Sequence, residues 1–204
     1  MKLPIYPPGD LKKPTMVDLA GPRPFERWQV PQMNAAVGGW LSQSPPALEL
    51  ATLALHEIEL RGNDALPARM KFARYGLEPI PWLVEAGAAV RETFTPAVLS
   101  TQKTGRLGGR VYVVLRGGYT ASSGFYGAYV GSTGRTVATR IAEHRAGGRR
   151  AARGLARHGI EPLWSLFDFI NPVPKARAGR EEWETRLHET LAPVVPKVTG
   201  DVAF

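Results

Sequence analysis

Tyr129-Val130-Gly131, followed by Arg140 and then His144, is the set of residues in this chain whose types and spacing suit chemistry. Arg140 and His144 are four apart, so a helix through this stretch stacks them on one face. Tyr129 closes the apolar run that leads into that helix through a Gly turn. Upstream, Arg110-Val111-Tyr112 opens another apolar run, VYVVL, and supplies a second tyrosine. A phenol, a guanidinium and an imidazole converging at a strand–helix junction suit an anionic substrate such as a phosphodiester. The guanidinium fork binds two phosphate oxygens at once, while phenol and imidazole exchange protons.

The layout resembles the GIY-YIG nuclease family. That family's first motif is a strand ending in Tyr, matched by Val111-Tyr112, and its second, Tyr-Ile-Gly, reads Tyr129-Val130-Gly131. An Arg eleven residues after the second Tyr and a His four beyond it fall on Arg140 and His144. The family's late helix carries a Glu with Leu three and seven residues on and Pro nine on. WETRLHETLAP supplies Glu184, Leu187, Leu191 and Pro193 at those offsets. The resemblance covers roughly residues 108–196. Four such residue types at fixed offsets arise by chance in roughly one chain per thousand of this length. Two positions depart from the pattern: Arg110 stands where the family usually has Gly, and Pro196 where an Asn commonly follows the Glu.

The resemblance implies a metal-dependent endonuclease that hydrolyses DNA, with an RNA-cleaving nuclease or a non-catalytic nucleic-acid-binding module on the same fold as alternatives. Tyr112 is then the general base or the group that positions water, which requires cationic neighbours because a free phenol titrates near pH 10. Tyr129 bonds the attacking water or a phosphate oxygen, and Arg140 clamps the scissile phosphate. His144 accepts a proton from a tyrosine or donates one to the leaving group. Glu184 is the metal ligand; a hard oxygen donor with no Cys nearby suits magnesium or manganese. Glu181, Glu182 and Glu189 share its helix, and only the Leu187/Leu191/Pro193 frame singles it out. Asn171 is the remaining residue of the right type to replace the missing Asn. Ser132 and Thr133 are placed to cap the following helix or to hold phosphate at its N-terminus.

Charge supports an anionic partner. Residues 1–105 hold 11 Lys+Arg against 10 Asp+Glu, a net of +1; residues 106–204 hold 15 against 8, a net of +7. Arg145, Arg149, Arg150, Arg153 and Arg157 concentrate this excess after the motif and form the expected phosphate-binding track. The absence of Cys excludes disulfides, thiol catalysis and cysteine-based metal sites. No apolar run approaches the eighteen or so residues of a membrane span, and the N-terminus lacks a signal-like apolar stretch. The expectation is a cytoplasmic protein with no membrane partner. One active site per chain means that a double-strand cut takes two chains, as a homodimer, or two encounters.

These residues need a scaffold, which the chain lays out in two parts. Residues 1–45 are rich in Pro and turns and read as an extended arm, docked through Tyr6, Phe25, Trp28 and Trp40. Helices are predicted over about 46–60, through ALPARMKFARYG to Gly76, and from about Pro79. STQKTGRLGG, 100–109, reads as a linker, dividing a helical unit (1–105) that governs substrate choice or partner contact from a nuclease-like domain (106–204). The second half alternates: strands at about 110–116 and 127–131, helices over about 135–146 and 148–158, a third strand at 163–170 (LWSLFDFI) and a last helix at 180–191. The predicted class is α/β, a small three-stranded antiparallel or mixed sheet flanked by helices.

Overall fold

The computed structural model describes residues 14, 16–103, 105–119, 125–147, 151–152 and 154–200. Five helices come first: α1 (Val30–Leu41), α2 (Leu48–Leu60), α3 (Leu66–Tyr75), α4 (Leu83–Thr93) and α5 (Pro96–Gln102). Strands β1 (Leu107–Arg116) and β2 (Gly127–Thr133) follow, then α6 (Val137–Ala146), α7 (Leu155–His158), β3 (Gly159–Pro162), β4 (Val173–Pro174), α8 (Arg177–Leu191) and β5 (Val198–Gly200). The architecture is mixed α/β, as the sequence predicts.

The sheet has five strands among the described residues, in place of three. β1 and β2 form its centre as an antiparallel pair with Tyr112 opposite Gly131 and Val114 opposite Tyr129. β5 adds to β2 in parallel over Ala128–Val130. β3 and β4 share the other edge of β1: β3 lies against Val114–Arg116 and β4 against Leu107–Gly109. Between them the predicted third strand is absent, and 164–166 and 168–170 form short 3-10 turns. The buried hydrophobic residues of this stretch are Leu163, Leu166, Phe167 and Ile170, spaced three, one and three apart. That is helical spacing, which a period-two strand would have split between two faces.

Asn171 repairs the gap in the edge. Its amide accepts from Val111 N–H and donates to Val111 C=O, both at 2.9 Å, mimicking a paired strand residue. Both polar groups of the side chain are therefore committed to the backbone next to Tyr112. Asn171 does not replace the missing Asn of the motif.

The N-terminal half is more regular than its Pro content suggests. Residues 1–13 and 15, including Tyr6, lie outside the described residues. Val17, Leu19 and Phe25 are buried, and Phe25 packs on Trp28 and Trp40 with ring centroids 5.2 and 5.4 Å apart. Helix α1 replaces the expected irregular chain. Its Gly38-Gly39 pair and Asn34 weaken local propensity, but Met33, Val37, Trp40 and Leu41 bury one continuous stripe. Part of the predicted linker is likewise ordered, since α5 ends at Gln102 and β1 begins at Leu107.

The two halves share one hydrophobic cluster running from Val17 to Val195. Phe94, which ends α4, stacks on Trp183 of α8 at 5.6 Å, and Trp82 Nε1–H donates to Tyr126 C=O. Two buried carboxylates interlock the halves. Glu49 accepts from the N–H groups of Trp164 and Ser165, and Glu161 Oε1 accepts the Glu49 N–H at 2.8 Å. The Glu49 N–H lies in the first turn of α2, where helix geometry provides no internal partner.

Candidate active site

Strand alternation places Tyr112, Tyr129 and Gly131 on one face of the β1–β2 pair. Tyr112 lies across Gly131: a Cβ at that position would come 2.6 Å from the Tyr112 hydroxyl and 2.9 Å from the Tyr129 ring. The glycine of the second motif is thus required by the close approach of the two phenols. Helix α6 covers the same face. Thr136 caps it by accepting from Thr139 N–H, while Thr133 turns back onto Arg135 N–H. The cap is therefore Thr136, not the predicted Ser132 or Thr133.

From α6, His144 and Arg140 reach the tyrosines. The rings of Tyr112, Tyr129 and His144 stand 5.7–6.2 Å apart in all three pairs. His144 Nε2 lies 2.8 Å from the Tyr112 hydroxyl oxygen, and His144 Nδ1 accepts the Ala152 backbone N–H at 2.8 Å. An amide N–H can only donate, so Nδ1 carries no proton and the single proton of the neutral ring sits on Nε2. His144 is then the donor to Tyr112. This reverses the expectation that it accepts a proton from the phenol.

The Arg140 guanidinium is the second partner of the Tyr112 hydroxyl. Burial lowers its pKa, but the charge and hydrogen bond of Tyr112, then Glu143 and Tyr129, raise it above its ordinary value. Glu143 Oε2 also holds Arg140 at 3.2 Å, while its other oxygen binds Arg135. Two donors therefore converge on the Tyr112 oxygen.

Tyr112, Tyr129, His144 and Glu184 are each 5% exposed or less. The Arg140 side chain is 14% exposed, and it is the member of the group that solvent reaches most readily. Glu184 sits on the inward face of α8 with Trp183, Leu187 and Leu191, and α8 packs across β1, β2, β4 and β5. Glu181, Glu182 and Glu189 are exposed. Burial therefore separates one acid from the four on that helix. Among the described residues no group of three or more His, Cys, Asp or Glu side chains is placed to hold an ion.

Of the expected track, Arg145 is partly buried beside Val114, Ile141 and Leu155, and Arg157 is exposed on α7. Arg149, Arg150 and Arg153 lie outside the described residues. Sequence reading missed Glu143, an ordinary acid in a basic run, and Arg180, one turn before Glu184 on α8. Of the aromatics after β1, Tyr126 is buried, Tyr119 lies under the Arg116 guanidinium, and Phe125 is 44% exposed. No helix of the described residues is long and apolar enough to cross a membrane. Comparison with protein-family models, with curated proteins and with solved structures finds no match for this chain.

Proposed function

We propose that this chain is a metal-dependent endonuclease of the GIY-YIG type that hydrolyses phosphodiester bonds in DNA, with the helical N-terminal half contributing to substrate choice. The observation that carries the reading is the Tyr112 hydroxyl held between a histidine tautomer that can only donate to it and an arginine. A purely structural tyrosine needs neither. Simple phosphate binding would leave the arginine facing solvent.

In this reading Tyr112 acts as the base. His144 Nε2–H and Arg140 stabilise the phenolate, which takes a proton from water as the water oxygen bonds to phosphorus, while the bond from phosphorus to the leaving sugar oxygen breaks and that oxygen takes a proton from solvent. Arg140 shares its guanidinium between Tyr112 and a non-bridging phosphate oxygen, offsetting the charge that develops there. The scissile phosphate enters by taking the place of Glu143 on Arg140, where a carboxylate now sits as an anion of similar geometry. Tyr129, whose ring meets the His144 ring edge-on, orients the attacking water.

Glu184 would hold the metal. A single protein carboxylate fits magnesium or manganese, which keep most of their shell as water and phosphate oxygen. When bound, such an ion supplies Lewis-acid stabilisation of the phosphoryl oxygens and the leaving group. Incubation of the purified protein with plasmid, single-stranded DNA and RNA, in magnesium or in chelator, tests the proposal. Expected is magnesium-dependent cleavage of DNA that is lost in chelator and in Glu184→Ala. No cleavage of any substrate, with DNA bound normally, would leave a binding module in its place.

A further inference from the structure

Four cations from three separate segments meet at the corner of the sheet where β1 begins and β2 ends. The β1–β4 pairing sets Arg106 beside Lys175, whose N–H donates to Arg106 C=O at 2.8 Å. Arg180 of α8 donates to Lys175 C=O, and its stem crosses Gly109. A Cβ on Gly109 would lie 2.7 Å from Arg180 Cγ and 2.4 Å from Pro174 C=O, so the crossing requires glycine there. The Arg180 guanidinium ends beside Gly134, in the turn between β2 and α6. Arg110 stands opposite Thr133 and two residues before Tyr112, hence on the tyrosine face.

None of these four has a carboxylate within ion-pair distance among the described residues. Their neighbours do: Arg135 and Arg140 share Glu143, and Arg177 pairs with Glu181. The corner thus concentrates uncompensated charge, while the adjoining acids are already used. Arg145 lies on the other side of the tyrosines, beside Val114. From Arg106 to Val114 is eight residues of nearly extended chain, ~26 Å. At ~3.4 Å per phosphate along a strand this spans about eight base pairs, with Tyr112 inside the interval.

Building on the nuclease reading, we propose that Arg106, Arg110, Lys175 and Arg180 bind backbone phosphates of duplex DNA flanking the scissile bond, on the side opposite α7. The substrate backbone then runs from Arg145 and Arg157 across the tyrosine pair to this corner. The contacts are to phosphate, so they set position and register without reading sequence.

The test is binding of a 20-base-pair DNA duplex, followed by fluorescence anisotropy in chelator across about 50–200 mM NaCl. Arg106 and Lys175 are exposed, so Arg106→Ala/Lys175→Ala keeps the fold. Loss of two phosphate contacts should lower the magnitude of the log–log salt slope by about 1.8 and weaken binding at least tenfold, roughly, at 100 mM salt. Arg180→Met, which keeps the stem over Gly109, should lower the slope by about 0.9 with an unchanged melting temperature. The charge-matched control Arg27→Ala/Arg74→Ala, on the exposed surface of the helical half, should leave the slope alone. A slope in Arg106→Ala/Lys175→Ala equal to wild type, or shifted no more than in the control, overturns the assignment while leaving the nuclease reading intact. Failure of the wild-type protein to bind the duplex at all overturns both.

Discussion

At the residue level the chemistry turns on which atom of His144 carries the proton. The Ala152 amide occupies Nδ1, leaving Nε2–H to point at Tyr112. His144→Gln offers an amide donor but cannot take up a proton, so it should retain clearly more cleavage than His144→Ala. Equal loss in both would mean that His144 acts as a proton acceptor. Tyr112→Phe removes the proposed base and should cost about 100- to 10,000-fold in cleavage rate with duplex binding kept. Glu143 is the opposing anion at this site. Glu143→Gln frees Arg140 and Arg135 for phosphate and should tighten duplex binding by up to about tenfold, on the order of 1 kcal/mol. Weaker binding in that variant would show that Glu143 orients Arg140 instead of competing for it.

Among the elements, the junction of α2 with β3 holds the least conventional arrangement, two buried acids that accept backbone N–H groups across it, Glu161 from Glu49 and Glu49 from Trp164 and Ser165. Burial pushes the Glu49 carboxyl up to about 7 despite hydrogen bonds from Ser165 and Trp164, with Asp168 adding repulsion. Burial and then the charge of Glu49 push Glu161 well above the usual carboxylate range. Both folded pKa values lie above the unfolded value, so the folded state binds more protons in between. The pair's contribution to stability is therefore fully present below about pH 4.5 and is lost as pH rises through the folded pKa values, about 7 for Glu49. The expected slope is on the order of 1 kcal/mol per pH unit in that window. Glu161→Gln retains an oxygen to accept the Glu49 N–H and removes one charge. It should flatten the dependence of the urea midpoint on pH and raise stability at pH 8. A midpoint lowered equally at pH 5 and pH 8 would show that the carboxylate itself is needed.

For the whole molecule, the shared core sets how far the halves can be separated. Removing residues 1–104 would uncover Trp183 where Phe94 covers it and leave Glu161 buried or exposed without its helix partner. The Tyr126 C=O would also lose the Trp82 indole N–H. A 105–204 fragment is therefore expected to lack a cooperative urea transition, despite carrying every motif residue. A cooperative transition in the fragment, close to that of the full chain, would restore the boundary near residue 105 that the Gly-rich stretch suggests. The unequal charge of the two halves, +1 and +7, does not depend on that outcome, and neither does the basic corner of the sheet.

Local spacing determined much of this protein. Four-residue spacing put Arg140 and His144 on one face of a helix, and apolar runs marked β1 and β2. The Leu187/Leu191/Pro193 frame singled out Glu184, which proved to be the buried acid on α8. All of these are set by neighbours within a turn or a strand, where periodicity carries the signal. What spacing cannot carry is contact between distant segments. The proton position on His144 depends on the Ala152 amide, eight residues further along the chain. Asn171 reads as a site residue until Val111, sixty positions earlier, is seen to use both its polar groups. α1 looked irregular because its local propensity is weak, and burial against α2 and α3 overrode it. The stretch 163–170 looked like a strand because a short apolar run has no unambiguous period. Two 3-10 turns won because Leu163, Leu166, Phe167 and Ile170 can all be buried that way, and because Glu49 of α2 accepts the N–H groups of Trp164 and Ser165.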